Sequence, residues 1–350
     1  MNIDWKRILV TLLLTAVAQL GHAWDRTPAT RFATLPAGAT NPEGITVDSR
    51  GNVYVATFAV GGTSSGVGQV FVFGRHGQLL NTINIAGAST FLLDLAFHPT
   101  TGDLLVIDFG QQQVLKVDPA TGASTVFTII PGGGAAGPNV LTFDAAGNVY
   151  ISDSFQGTIW QTGPNGGAIL NWVTSPLLQT AGVPPFGANG MAFNRDRTAL
   201  FVANTGNDTV VKIPVSSGGM PGTPEVFVHS VNGADGLIID EDDNLWVAAN
   251  QADEIVVIDP SGRVIAKLGD FNGLDSRGAP KGLLFPASLV RHGGYIYVTN
   301  LALDLRLFGL PQPVDAQWAA DVKRHTVAKI RARIPRVSGL PGGKHHDDDD

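Results

Sequence analysis

An apolar strand, a polar turn and a second strand of alternating character recur along this chain. The pattern is plainest in PEGITVDSRGNVYVATF (42–58). It returns as GPNVLTFDAAGNVYISDSF (137–155), GANGMAFNRDRTALFVANTG (187–206) and GADGLIIDEDDNLWVAAN (233–250). Weaker copies stand at FLLDLAFHPTTGDLLVIDFG (91–110) and FPASLVRHGGYIYVTNLA (285–302). Short apolar runs bounded by Gly, Asp, Asn and Pro read as strands. Most copies are followed by a third strand, such as QVFVFGRHG or EIVVIDPSG, and by a fourth, such as STVFTII or EVFVH. Four antiparallel strands in about 45 residues is the period of a propeller blade. The expected fold is therefore all-β, a six-bladed β-propeller of four-stranded antiparallel blades over about residues 24–340.

The ends of the pattern predict how the ring closes. The sixth unit has its third strand late, in HTVAKIRARI (325–334), and then lacks a fourth. TRFATLP (30–36), ahead of the first unit, looks like a fourth strand without a blade. The N-terminal strand is expected to complete blade six, which leaves no large unpaired edge.

Aligned on their apolar cores, the six units place Glu43, Leu93, Asn139, Asn189, Asp235 and Pro286 at one position, in steps of 50, 46, 50, 46 and 51 residues. That position is the head of the innermost strand, where a propeller's strands converge on the central channel. Asn or Asp before Gly is also ordinary turn chemistry, but turn chemistry gives no reason for Glu43. Two carboxylates and two amide carbonyls form an all-oxygen set, and the carboxylates repel each other unless a cation lies between them. Ca2+ suits such a set best and Mg2+ is the alternative. No His or Cys stands at this register, which argues against zinc.

The repeats, and the settings PEG, GPN, ANG and ADG around these residues, resemble the senescence marker protein/gluconolactonase family, whose relatives include diisopropylfluorophosphatase and paraoxonase. The resemblance covers about residues 30–300, and Asp235 in GADGLIIDEDDNLWVA is its most specific part. It implies a calcium ion in the tunnel held by Glu43, Asn139, Asn189 and Asp235, and hydrolysis of a lactone or ester, including phosphotriesters. By this reading Asp235 is the general base or nucleophile and Glu43 balances charge. Two departures bear on substrate. Gly137 stands where sugar-lactone hydrolases tend to carry an Arg, and Val140 where members often carry an Asp. The competing reading is a non-catalytic binding or scaffold propeller with a structural calcium.

Other features add less. The second strands end at Asp153, Asn204, Asn250 and Asn300. Asp153 and Asn204 are candidates for substrate binding, against a reading of the whole set as loop-anchoring residues. His76 and His98 read as solvated turn residues. Segments 59–68 and 302–324 are insertions on the metal-bearing face, the second with helical spacing in VDAQWAADVKR. Leu301, Leu303, Leu305, Leu307, Phe308 and Leu310 are candidates for a hydrophobic mouth, or for packing on the propeller top.

Composition narrows the function classes. Net charge is −7, without the basic stripe a nucleic-acid surface needs. Lys6 and Arg7, the apolar run ILVTLLLTAVAQL and the small residues Gly21 and Ala23 form an expected secretory signal over residues 1–23, too short for a membrane span. Localisation is accordingly expected to be periplasmic or extracellular. The chain has no cysteine, which excludes a thiolate metal site and a cysteine nucleophile. The tail 341–350 reads as disordered, with its HHDDDD run solubilising or loosely cation-binding. The expected partner is a small-molecule lactone or ester.

Overall fold

The computed structural model describes residues 26–60, 66–310 and 316–334. The expected leader, the His/Asp tail and the centres of both insertions lie outside the described residues. Six four-stranded antiparallel sheets make six blades. The innermost strands are Pro42–Val47, Leu92–Phe97, Pro138–Phe143, Ala188–Phe193, Ala234–Ile239 and Pro286–His292. In the sixth blade the outermost strand is Thr30–Thr34, paired with Thr326–Arg331, so the chain's first strand closes the ring as its pattern predicts.

Apolar residues on both faces of each strand make this arrangement necessary. Ala56, Val70 and Val72 of blade one pack against Leu92, Leu95 and Leu104 of blade two. Trp246 and Ala248 of blade five pack likewise against Leu289, Val298 and Ala328 of blade six. Each blade is thus one layer of a continuous inter-blade core. The closing strand joins it through Phe32, whose ring meets Tyr297 edge-on at 4.7 Å.

The hairpins between first and second strands share one device. Asp48, Asp144 and Asp240 each accept backbone N–H groups two and four residues on, and each also accepts the side-chain amide of Asn52, Asn148 or Asn244. The recurring Asp and Asn of DSRGN, DAAGN and DEDDN therefore fix the turn and with it the register of the hairpin.

One register expectation is corrected. All six innermost strands carry a bulge just after their first residue. It falls between Pro42 and Ile45, Leu92 and Leu95, Pro138 and Leu141, Ala188 and Met191, Ala234 and Leu237, and Pro286 and Leu289. Pro286 is thus the equivalent of Pro42, and the blade-six residue at the register of Glu43 is Ala287. His98 is a second correction. It is buried, accepting the N–H groups of Thr100 and Thr101 on Nδ1 and placing Nε2 2.8 Å from the Gly147 carbonyl. Because Nδ1 accepts, Nε2 carries the proton, and the ring clasps blade two to blade three. His76 is exposed, as a turn residue should be.

A hairpin of Phe271–Leu274 and Pro280–Gly282, unexpected from the pattern, precedes blade six. Trp318, on the short helix Ala316–Ala320, meets Phe271 edge-on at 5.6 Å.

Candidate active site

The bulge common to all six innermost strands turns one side chain per blade toward the tunnel mouth. Glu43, Leu93, Asn139, Asn189 and Asp235 line a single pocket there, bounded also by Phe58, Phe186, Phe285, Leu301 and Leu303. It has about 30 Å³ of room for water-sized atoms, enough for an ion and a water or two.

The glycines that follow three of these residues are not turn residues. A Cβ on Gly44 would lie 2.1 Å from the Leu93 carbonyl, on Gly190 2.3 Å from that of Asp235, and on Gly236 2.5 Å from that of Ala287. Gly is needed because neighbouring strand heads touch through their backbones. That approach brings side chains some fifty residues apart into one small volume.

The residue just beyond the end of each second strand forms a second tier. In blades three, four and five it is Ser154, Thr205 and Asn250. The Asn139 amide donates to Ser154 Oγ at 3.0 Å, and Ser154 Oγ donates to the Ala188 carbonyl at 2.6 Å. Since the serine proton is used there, Asn139 must present its NH2 to the serine and keep Oδ1 free. Asn189 donates to Thr205 Oγ1 at 2.9 Å, and Asn250 donates to Asp235 Oδ2 at 2.9 Å. In blades one, two and six the same tier holds Phe58, Phe109 and Leu301. Sequence reasoning passed over Ser154 and Thr205, and grouped Asn250 with Asp153 and Asn204, one register position away.

Seven buried side-chain N or O atoms lack a hydrogen-bond partner among the described residues. Five of them belong to this pocket: Glu43 Oε2, Asn139 Oδ1, Asn189 Oδ1, Asp235 Oδ1 and Asn250 Oδ1. Each unmatched buried acceptor costs roughly 1–3 kcal/mol. Acceptors gathered without donors are what a hard cation satisfies, and an all-oxygen set containing neutral amides fits Ca2+ and, less readily, octahedral Mg2+. No group of three or more His, Cys, Asp or Glu placed to hold a metal ion occurs among the described residues, so a cation here depends on the amide oxygens.

The charges lead to the same place. Burial pushes the Glu43 carboxyl well above its ordinary range, and the neighbouring charges of Asp235 and Asp94 push it further. Burial also holds Asp235 up at about 7, against hydrogen bonds from Asn250 and Asn189 that pull it down. Asp94 is a third acid that the sequence reading missed. Buried in the innermost strand of blade two, it accepts the Leu141 N–H at 2.9 Å and stands at about 7 because of burial. Its signal was a carboxylate within the apolar run LLDLAF.

Asp153 and Asn204 lie outside this pocket. Asp153 is buried and accepts the N–H groups of Gly137, Phe155 and Gln156 and the Trp160 indole. Asn204 donates to the carbonyls of Leu177 and Gln179. Of the expected mouth residues, Leu301 and Leu303 line the pocket and Leu305 is buried. Leu310 is packed on the core, while Leu307 and Phe308 are exposed.

Residues 96–269 match the sequence model of the SMP-30/Gluconolactonase/LRE-like region, a span that takes in Asn139, Asn189 and Asp235 but not Glu43. Over that stretch, just under half of its length, the chain matches this family. Two curated relatives are a 6-deoxy-6-sulfogluconolactonase of Pseudomonas putida, 26% identical over 117 residues, and Lactonase drp35 of Staphylococcus haemolyticus, 29% identical over 138 residues. These alignments take in 32% and 37% of this chain and 40% of each relative. Regucalcin from Agrobacterium tumefaciens, a calcium-binding protein, shares the fold with a TM-score of 0.59 at 16% identity, over 90% of this chain and 98% of its own. In this chain the polar tunnel mouth is surrounded by phenylalanine and leucine.

Proposed function

We propose that this protein hydrolyses a lactone or a related ester, phosphotriesters included, at the mouth of its tunnel, with Ca2+ as cofactor. The observation that carries the reading is the set of five unpartnered buried oxygens in one pocket. The match to a lactonase-containing family supports the reaction class, and the calcium-binding neighbour supports the choice of ion.

Glu43, Asn139, Asn189 and Asp235 would hold the ion. When bound, it supplies positive charge for a developing oxyanion on a carbonyl or phosphoryl group. The chain's own groups do the rest. Ser154 and Thr205 fix the two amides so that their carbonyl oxygens face inward. Asn250 donates to Oδ2 of Asp235 and orients the carboxylate, whose Oδ1 would face the ion and whose Oδ2 keeps a lone pair to take a proton from water or to attack directly. Without the ion, burial raises that carboxyl to about 7; the bound cation would favour the carboxylate, the form a base or nucleophile needs. Glu43 stays out of proton transfer and balances charge. Phe58, Leu93 and Leu301 exclude bulk water.

The narrowness of the pocket favours a second reading, a structural calcium that plugs the tunnel of a non-catalytic propeller. One experiment decides between them: hydrolysis of a panel of lactones and aryl esters in EDTA and after calcium is restored. Activity that vanishes and returns establishes the hydrolase, whereas stability that vanishes and returns without activity establishes the plug. Export is part of the proposal, supported by the basic start and apolar run ahead of Trp24. The mass of the mature chain in an extracytoplasmic fraction tests it.

A further inference from the structure

We propose, building on the hydrolase reading above, that the non-reacting part of the substrate is apolar, an aryl or alkyl group carried on the lactone ring. Phenylalanines from four blades form its binding surface. Phe58 meets Phe91 at a tilt at 5.4 Å and Phe109 edge-on at 5.7 Å, and Phe109 meets Phe155 edge-on at 5.7 Å. Phe186 closes the arc, 5.5 Å from Phe155 and 6.4 Å from Phe109. Phe58 and Phe186 are also walls of the pocket that holds the five unpartnered oxygens, so the arc runs from that pocket to the surface. At its outer end Phe155 is 43% exposed, although it has aromatic neighbours on both sides.

Backbone choices place these rings. A Cβ on Gly137 would lie 2.7 Å from the Phe155 ring, so the ring rests against the lead-in to Asn139 only because residue 137 is glycine. Phe285 holds a φ of 47°, a left-handed conformation that a bulky residue adopts at a cost, and its ring forms the pocket wall on the blade-six side.

With its acceptor oxygens turned to the ion, the polar side of the mouth offers a sugar few donors. No Lys, Arg or His lines the pocket among the described residues. The Ser154 hydroxyl and one N–H of each of the Asn139, Asn189 and Asn250 amides are committed to other protein groups. Each hydroxyl buried here without a partner weakens binding roughly tenfold. The narrow inner pocket takes the reacting carbonyl end, and the remainder of the molecule lies along the phenylalanines.

The test compares kcat/KM for 5-phenyl-δ-valerolactone, δ-valerolactone and D-glucono-δ-lactone in calcium. It adds calorimetric binding of the matching lactams, 6-phenylpiperidin-2-one and gluconolactam. The phenyl lactone is expected to exceed the sugar lactone at least 100-fold. Phe155→Ala is expected to lower the ratio of phenyl to unsubstituted lactone about tenfold, mainly through KM, and Phe155→Leu to recover most of it. If the sugar lactone is turned over as well as the phenyl one, or Phe155→Ala leaves the ratio unmoved, the apolar assignment falls while the hydrolase reading stands. If no lactone is hydrolysed yet the phenyl lactam binds in preference to gluconolactam and Phe155→Ala weakens it, the hydrolase reading falls and the apolar site stands. Failure of both lactams to bind, without turnover, overturns both.

Discussion

Replacing Asp235 with asparagine should stabilise the calcium-free protein, and the gain should grow with pH. Burial holds this carboxyl at about 7 in the folded chain against 3.8 when solvated. Its folded-state value is raised, so its contribution favours the folded state below pH 3.8 and is lost as pH rises through about 7. Near pH 8 both states are ionised and the penalty is about 4 kcal/mol, of which about 2.5 kcal/mol develops between pH 5 and 8. Asp235→Asn removes that charge at constant shape, keeps an acceptor for Asn250, and turns an NH2 toward oxygens that lack a donor. With an unfolding entropy of about 0.6 kcal/mol/K for about 300 ordered residues, the full penalty corresponds to about 6 °C in Tm. Scanning calorimetry in EDTA at pH 4, 5 and 8 should show the variant close to the parent at pH 4 and about 6 °C above it at pH 8. In calcium the order should reverse, because the parent gains from binding and the variant gains much less. A variant that melts lower than the parent at pH 8 in EDTA, or a gain that ignores pH, would refute the view of this pocket as an uncompensated acidic cluster.

Other consequences concern its supports. Ser154→Ala and Thr205→Ala should each weaken calcium binding roughly tenfold in calorimetric titration by freeing an amide to rotate, and lower the calcium-free Tm by about 2–4 °C through the buried groups left unpaired. Gly190→Ala drives a methyl group to 2.3 Å from the Asp235 carbonyl and should cost about 3 kcal/mol or more in urea unfolding. Gly134→Ala, with open space around it, should stay within about 0.5 kcal/mol. Phe32→Ala, in the closing strand, should cost about 3–5 kcal/mol and expose the partner strand Thr326–Arg331 to early hydrogen exchange.

Much of this protein was legible before any coordinate. Alternation and turn chemistry are local, and six copies of one local pattern determine blade number, strand order and the N-terminal closure. The recurrence of Glu43, Asn139, Asn189 and Asp235 at one register made a shared polar centre visible, because every blade repeats the same bulge. Local pattern could not set blade six within one residue, since FPASLV aligns nearly as well one step over. Only strand pairing identifies Ala287 as the sixth member. Nor could it distinguish a glycine that turns the chain from one that lets two strand heads touch. Ser154, Thr205, Asn250 and Asp94 acquire their roles from partners in other strands and blades, and the phenylalanine arc exists only where four blades meet. Periodicity is written along the chain, whereas which buried oxygen remains without a partner is decided by ring closure, when side chains about fifty residues apart come within hydrogen-bonding distance and water is excluded.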